Sequence, residues 1–167
     1  MPPLAKPLRR PQPDPLEPAD AQTLLANARQ LERAAQTMQL GHLLRGKNLA
    51  LLCESEATDE ATLFRCAAED LGARVAHIYP SLSKLSSSRV LQDTARTLGR
   101  LYEAVECQGL SADIVQQLAD AAGVPVYDGI ASSNHPTAGL ADSLGSGDSH
   151  AASRQRILQA VLMSTLL

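Results

Sequence analysis

The sequence predicts a single α/β domain, in which a four-stranded parallel sheet carries helices on both faces. Its length of 167 residues suits one domain. Short apolar segments alternate with segments of helical periodicity through the middle of the chain, which is typical of βαβ units joined by right-handed crossovers. Apolar residues make up 44% of the chain and aromatic residues only 2%, so we expect an aliphatic core rich in Ala and Leu.

The first segment of the chain is rich in proline. Residues 1–18 hold seven of the ten prolines, and proline disfavours the interiors of both helices and sheets. We therefore expect residues 1–19 to form a disordered or extended arm, with a short polyproline docking site as the alternative. Apolar residues recur at helical spacing from Asp20, which predicts an amphipathic helix that ends near Gly41.

The α/β domain itself is predicted to span residues 20–144. Its expected strands lie at residues 48–53, 73–79, 102–106 and 124–127. Its expected crossover helices lie at residues 59–71, 88–99 and 111–122, and a short helix follows Pro136 and ends at Leu144. Short strands alternating with helices in this way indicate a parallel sheet covered on both faces.

The end of the chain changes character twice. Residues 145–150 are rich in Gly and Ser, which predicts a flexible joint. Residues 151–167 predict a further amphipathic helix that packs on the α/β domain, because its leucines recur every four residues. On this pattern we expect the polar side chains of the helix to face solvent, namely Arg154, Gln155, Arg156 and Gln159.

Charge and hydropathy exclude two classes of partner. The net charge is −3 and the isoelectric point is near 5.8, so we expect no nucleic-acid partner. No apolar run approaches the roughly 18 residues of a membrane span, and no apolar stretch follows the basic residues near the N-terminus, as a secretion signal requires. We therefore expect no membrane partner.

The cysteines and histidines argue against a disulfide scaffold and a metal site. Cys53, Cys66 and Cys107 are odd in number and far apart, which predicts reduced thiols and a cytoplasmic location. The histidines show no spacing that suits a metal. The sequence also lacks the Gly-x-Gly-x-x-Gly fingerprint of dinucleotide binding. We therefore expect no cofactor.

Six short segments occur in an order and spacing that fit one known domain. They are residues 44–52 (LRGKNLALL), 93–98 (DTARTL), 122–126 (AGVPV), 128–129 (DG), 135–136 (HP) and 140–142 (LAD). Together they resemble the carbamoyl-phosphate-binding domain of the aspartate and ornithine carbamoyltransferases, and the ornithine branch more closely. Residues 152–162 are similar to the C-terminal helix of that family, which packs on the first domain.

The resemblance implies that a second domain is replaced in this sequence. In the family, a domain that binds the amino-acid substrate lies between the segments matching Asp142 and Ala151. Here only the joint of residues 145–150 occupies that interval. A domain that keeps its own sheet and terminal helices is able to close its core alone.

The resemblance also implies a pocket for the phosphate of carbamoyl phosphate at the start of a helix. The family's Ser-x-Arg-Thr-Arg motif aligns with residues 57–61. Thr58 falls at the variable position, Asp59 replaces the first arginine, and Glu60 replaces the threonine. Ala61 replaces the second arginine. Carboxylates at this place repel the dianion that a helix N-terminus and arginines otherwise attract.

Two further family positions of the implied pocket have changed. Gln108 aligns with an arginine that polarises the carbamoyl oxygen. His135 is retained from the motif His-Pro-x-Gln, but the glutamine has become Ala138. We therefore expect a degenerate pocket without catalytic residues, which does not bind carbamoyl phosphate in the family's manner.

Positive charge returns in the loop that follows the second strand. Lys84 replaces a glutamine of the ornithine branch in a loop that, in the family, reaches a neighbouring subunit's site, and Arg89 follows it. We expect these two cations to form ion pairs with Asp59 and Glu60; the alternative is that they restore positive charge near the pocket. The degenerate pocket is thus predicted to comprise Thr58, Asp59, Glu60, Lys84, Gln108 and His135.

A purely structural interpretation accounts for several of these residues. Thr58 suits the N-cap of a helix, and Asp59 and Glu60 in the first turn complement the helix dipole. His135, next to a proline at a loop-to-helix junction, suits a role in satisfying local backbone groups. A new site for a cation or an amine is the alternative.

Three functions follow from this interpretation. The first is a non-catalytic, single-domain carbamoyltransferase-like protein that acts through oligomeric assembly or protein binding. The resemblance implies a homotrimer, or pairing with a true carbamoyltransferase chain. The second is a binder or enzyme for an amine, amino acid or cation in the repurposed pocket. The third is residual ornithine or aspartate carbamoyltransferase activity, completed by a partner chain.

Overall fold

The computed structural model describes residues 18–81, 85–145, 147 and 149–167. It contains a four-stranded parallel sheet in the order β2-β1-β3-β4. The strands are β1 (Asn48–Leu52), β2 (Arg74–Ile78), β3 (Ala104–Cys107) and β4 (Val126–Asp128). The helices are α1 (Pro18–Gln36), α2 (Asp59–Asp70), α3 (Ser88–Leu101), α4 (Ala112–Ala122), α5 (Leu140–Leu144) and α6 (His150–Leu166), and a 3₁₀ turn covers Pro136–Gly139. The predicted fold class is confirmed.

Helix α1 differs from its predicted limits at both ends. It begins at Pro18, inside the segment predicted as an arm, because proline is tolerated in the first turn of a helix. It ends at Gln36 rather than near Gly41, since Met38 adopts a left-handed conformation with φ of 56°. The rest of the predicted arm, residues 1–17, lies outside the described residues.

One face of the sheet is covered by α1, α2 and α6. Leu49 and Leu51 of β1 point to this face and pack in a cluster with Phe64 of α2 and Leu158 of α6. All four side chains are fully buried. The packing of α6 against both α1 and α2 closes this side of the core.

The opposite face is covered by α3 and α4. Ala50 and Leu52 of β1 point to this face, as the period of two in a strand requires. The two helices approach closely at Gly99 of α3, where an added Cβ would lie 1.8 Å from the carbonyl oxygen of Ala122. Only glycine permits this approach, so the crossing depends on Gly99.

Helix α6 corrects the prediction that its polar residues face solvent. Arg154 and Gln159 are 6% and 0% exposed, respectively. The reason is that α6 is flanked by α1 and α2 and is therefore buried on more than its leucine face. The Gln159 Nε2 donates to the Ala67 carbonyl oxygen of α2 at 3.2 Å, which satisfies the buried amide.

The joint between α5 and α6 is short. Gly145 ends α5 with φ of 62°, and the Ser149 hydroxyl caps α6 by accepting from the Ala152 N–H at 3.2 Å. In the described part of the chain no helix has the length and apolar composition needed to cross a bilayer.

Candidate functional site

A cleft of about 250 Å³ opens at the carboxyl ends of the strands. In the sheet, β2 lies on one side of β1 and β3 lies on the other. The loops that follow β1 and β3 therefore lead away from each other, and a crevice forms between them. Polar side chains in the wall of the cleft are Glu60, Gln108, Asp128, Ser132, Asn134 and His135. Parallel strands thus bring together residues that are far apart in sequence.

Helix α2 begins beside this cleft with its own cap. The Thr58 hydroxyl accepts from the Ala61 N–H at 3.1 Å, which confirms the predicted N-cap. Asp59 and Glu60 occupy the first turn, with Asp59 exposed and Glu60 half-buried in the wall of the cleft. The positive end of the helix is therefore compensated by groups of this chain.

Gln108 lies at the end of β3 and is only 7% exposed. Its Nε2 is 3.5 Å from the Glu106 Oε2. Its Oε1 is buried and has no hydrogen-bond partner in the described part of the chain. Gln108 thus lines the cleft and contains a buried acceptor that no described residue satisfies.

Glu106 supports the floor of the site and was not predicted. This carboxyl group is completely buried, and its two oxygens accept from the Ile130 and Ala131 N–H groups at 3.2 and 3.4 Å. Burial raises the pKa of Glu106 to about 8, although the hydrogen bonds to its oxygens act in the opposite direction. The side chain fixes the loop that follows β4.

Arg154 of α6 holds the same loop from the other side. Its Nη2 donates to the carbonyl oxygens of Ala131 and Ser132, both at 3.1 Å. The backbone N–H of Ala131 therefore donates to Glu106, and the backbone carbonyl of the same residue accepts from Arg154. The remaining nitrogen, Nη1, is buried without a partner in the described part of the chain.

His135 follows this loop and serves as its local cap. Its Nδ1 accepts from the Thr137 N–H at 3.2 Å, so the imidazole satisfies a backbone donor at the start of the 3₁₀ turn, as predicted. Burial, and to a lesser degree the positive charge of Arg154, lowers the pKa of His135 to about 4. The imidazole is therefore neutral at pH 7.

Asp128 completes the acidic wall of the cleft. Burial alone raises the pKa of its carboxyl group. Neither Asp128 nor Glu60 has a hydrogen bond or an ion pair within the described residues, and no described Lys or Arg lies in the wall. The wall of the cleft therefore contains two carboxyl groups that pair with no described Lys or Arg.

The predicted site residues separate into three groups. Glu60, Gln108 and His135 come together in the cleft, whereas Thr58 and Asp59 lie at the start of α2 outside its wall. Lys84 lies outside the described residues. The predicted ion pairing is wrong for Arg89, because this side chain is exposed on α3 and contacts neither Asp59 nor Glu60; α3 covers the far face of the sheet.

Three residues of the site were missed as functional candidates. Asp128 directly follows the predicted strand of residues 124–127. Ligands bind at the carboxyl ends of parallel strands, so this position was a usable signal. Glu106 ends the predicted strand of residues 102–106, which also contains Glu103, so the sequence did not single it out. The sequence pattern did not indicate a role for Arg154, because helical periodicity places this residue on the solvent-facing side of its helix. The described residues contain no group of three potential metal ligands.

Comparison with known proteins assigns the family. The model of the aspartate/ornithine carbamoyltransferase carbamoyl-phosphate-binding domain matches residues 12–145. The chain belongs to this carbamoyltransferase family. It is 44% identical over 121 residues to the ornithine carbamoyltransferase of Haemophilus influenzae strain PittGG, which covers 72% of this chain and 36% of the relative. It is 43% identical over 128 residues to the catabolic enzyme of Chromobacterium violaceum, covering 76% of this chain and 38% of the relative.

Solved structures of the carbamoyltransferase family share the fold. The ornithine carbamoyltransferase of Pyrococcus furiosus superposes with a TM-score of 0.63 at 27% identity, covering 75% of this chain and 40% of that one. The enzyme of Thermus thermophilus gives 0.62 at 30% identity, with coverages of 76% and 43%. The chain therefore spans well under half the length of the carbamoyltransferases it matches.

Proposed function

We propose that this chain is a non-catalytic member of the carbamoyltransferase family that acts through oligomeric assembly or protein binding. The observation that carries this proposal is the start of α2, where Thr58 caps the helix and Asp59 and Glu60 occupy its first turn. The resemblance implies that this is where the phosphate of carbamoyl phosphate would lie. Side chains of this chain already compensate the helix end.

The magnitudes favour loss of phosphate binding. A like-charge contact at about 4 Å costs on the order of 4 kcal/mol at an effective dielectric of about 20. A helix N-terminus offers only about 0.3–2 kcal/mol to an anion. Two carboxylates at the helix start therefore outweigh the attraction that the helix provides. Thr58, Asp59, Glu60, Lys84, Gln108 and His135 are thus proposed to be the remains of the family's pocket.

The domain limits support an independent module. Residues 20–144 are proposed to form the carbamoyltransferase-like domain, with residues 145–150 in the place of a second domain. Residues 151–167 are proposed to be the C-terminal helix that packs on this domain. The corresponding helix α6 supplies Leu158 and Leu162 to the same core as α1 and α2. The hydrophobic core is therefore closed within this chain.

Exposed groups around the second strand support a protein-binding role. Strand β2 lies at the edge of the sheet and thus has backbone groups available for a partner. Tyr79 and Val90, which flank the connection from β2 to α3, are 67% and 39% exposed. The resemblance implies a homotrimer, and a true carbamoyltransferase chain is the other candidate partner. We place these contacts in the cytoplasm, where the three free thiols stay reduced.

An activity assay tests the loss of catalysis. The chain is incubated with carbamoyl phosphate and either ornithine or aspartate, alone and with candidate partner chains, and citrulline and carbamoyl-aspartate are measured. We expect no product above the uncatalysed rate in either condition. Turnover by the chain alone would contradict the proposal, and turnover only with a partner would replace it by the residual transferase function.

The unpaired acceptors of the cleft favour a second candidate function. Gln108 offers a buried oxygen without a partner, and Glu60 and Asp128 lie in the same wall. A cleft with these groups suits a small molecule such as an amine, an amino acid or a cation. Ligand screening by thermal shift tests this function, because a ligand that binds only the folded chain raises its melting temperature.

A further inference from the structure

We propose that the cleft at the carboxyl ends of the strands binds a small organic ammonium ion, with a primary amine as the recognised group. This inference rests on the second candidate function, that the cleft binds a small molecule, and it names the chemical class. It stands on three acceptors, Glu60, Gln108 and Asp128, which share one wall and have no partner within the described residues.

The amide of Gln108 is the group that requires a donor. The side chain is more than nine-tenths buried, and its nitrogen is directed at Glu106. Its oxygen is therefore left on the other side of the amide, in a residue that forms part of the wall of the cleft. Buried acceptors without a partner are uncommon in folded proteins. One N–H group of the ligand is assigned to this oxygen, because a phosphate or carboxylate offers no donor to it.

The two carboxylates select for positive charge on that donor. Asp128 is partly desolvated and gains no compensating hydrogen bond from the described residues. Glu60 lies in the same wall. A primary ammonium carries three N–H donors and one positive charge, so it matches one amide oxygen and two carboxylates in both number and sign.

The nearby cation does not reverse this selectivity. Arg154 acts on Glu60 and on His135 through its charge, but it lies outside the wall and donates to the carbonyls of Ala131 and Ser132. His135 is neutral at pH 7. Two carboxyl groups of the wall thus lie near one buried guanidinium group, and the cleft still favours a cation.

The size of the cleft limits the ligand to a few atoms. Its volume of about 250 Å³ equals the share of about eight water molecules in the liquid. A four-carbon chain with one ammonium group fits this space. We therefore choose the n-butylammonium ion as the probe, with n-butanol, butyrate and inorganic phosphate as matched compounds of different charge.

Calorimetric titration of the full chain at pH 7 and constant ionic strength tests the inference. We expect saturable binding of n-butylammonium and none of the three matched compounds. Asp128→Asn keeps the shape but removes a charge, and it should weaken binding at least about tenfold. Asp142→Asn removes one charge from α5 outside the cleft wall and should change the affinity by less than about twofold.

Other results overturn the inference in distinguishable ways. Glu60→Gln is the second variant, because Glu60 is half-buried in the first turn of α2 and its replacement leaves the core unchanged. Unchanged affinity in both Asp128→Asn and Glu60→Gln would contradict the inference. Binding of butyrate or phosphate instead of the ammonium ion would also contradict it while leaving a small-molecule site intact. Failure of every class of compound would remove both the inference and the second candidate function.

Discussion

Two buried ionisable side chains, Glu106 and Arg154, hold the loop that lines the cleft. The Glu106 carboxyl group receives the Ile130 and Ala131 N–H groups, and Arg154 donates to the carbonyls that follow. A lost partner would leave buried backbone groups unpaired, which costs about 1–3 kcal/mol for each group. The shape of the cleft therefore depends on hydrogen bonds from two side chains that lie behind it.

The raised pKa of Glu106 predicts a pH-dependent stability. Its folded pKa of about 8 exceeds its ordinary value of 4.5, so the folded chain binds more protons and stability falls as the pH rises between these values. His135, with a lowered pKa, acts in the opposite direction below about pH 6.5. Between about pH 6.5 and 8 only the Glu106 effect remains, and we expect a fall of up to about 1.4 kcal/mol per pH unit.

Urea denaturation across that pH range checks this expectation. Glu106→Gln should be less stable at pH 6.5, because an amide offers only one oxygen to two N–H donors, but its stability should be flat up to pH 8. Glu54→Gln changes an exposed acid nearby and should keep the slope of the unmodified chain. The same slope in the Glu106 variant would contradict the assignment.

Arg154 also sets the ionisation of His135. Replacement of Arg154 by methionine removes a positive charge near the imidazole, so the pKa of His135 should rise from about 4 yet stay below 6.5, because burial is the larger cause. NMR titration of the imidazole protons measures this shift. Arg156→Met on the same helix is the control and should leave the pKa in place; equal shifts in both variants would argue against the contact.

At the scale of elements, the strands and helices near the site were predictable, and the burial of α6 was not. The apolar segment at β1 and the capping residue Thr58 are local signals. The helical periodicity of the sequence places Arg154 and Gln159 on the solvent-facing side of α6. In the structure, contacts with α2 and with the loop after β4 bury both side chains. Such contacts depend on how segments distant in sequence pack together, and the periodicity within one helix does not predict them.

The crossing of α3 and α4 gives a prediction at the same scale. Gly99→Ala places a Cβ 1.8 Å from the Ala122 carbonyl, and we expect a net loss of about 1–3 kcal/mol from overpacking, despite the better helix propensity of alanine. Gly139→Ala, where no atom lies within 4 Å of the added Cβ, is the control and should be neutral or stabilising. Equilibrium denaturation compares the two, and equal stabilities would contradict the close approach.

For the whole molecule, the resemblance predicted the family and the sheet, whereas the full set of residues around the cleft became known only from the structure. The ordered segments from residue 44 to 142 were sufficient for the fold. The convergence of Glu60, Gln108 and His135 followed from the family alignment. The part of Glu106 in the site was not predictable, because its partners are backbone N–H groups of a loop, and every residue type except proline supplies those.

The proposed assembly is a property of the whole molecule. Light scattering should give a mass near three times the 17.7 kDa of one chain. Replacement of Tyr79 and Val90 by serine should lower it toward one chain, whereas Leu101→Ser, an equally exposed apolar position at the other end of α3, should not. A mass near 17.7 kDa for the unmodified chain at high concentration would remove self-assembly from the proposal.

Carbamoyl phosphate binding tests the central claim, that the acids at the start of α2 have abolished the phosphate site. Calorimetric titration compares the unmodified chain with a double variant, Asp59→Arg with Glu60→Thr, which restores the family's residues at two solvent-accessible positions. We expect no measurable binding by the unmodified chain and a gain of affinity in the double variant. Micromolar binding of carbamoyl phosphate by the unmodified chain would contradict the account.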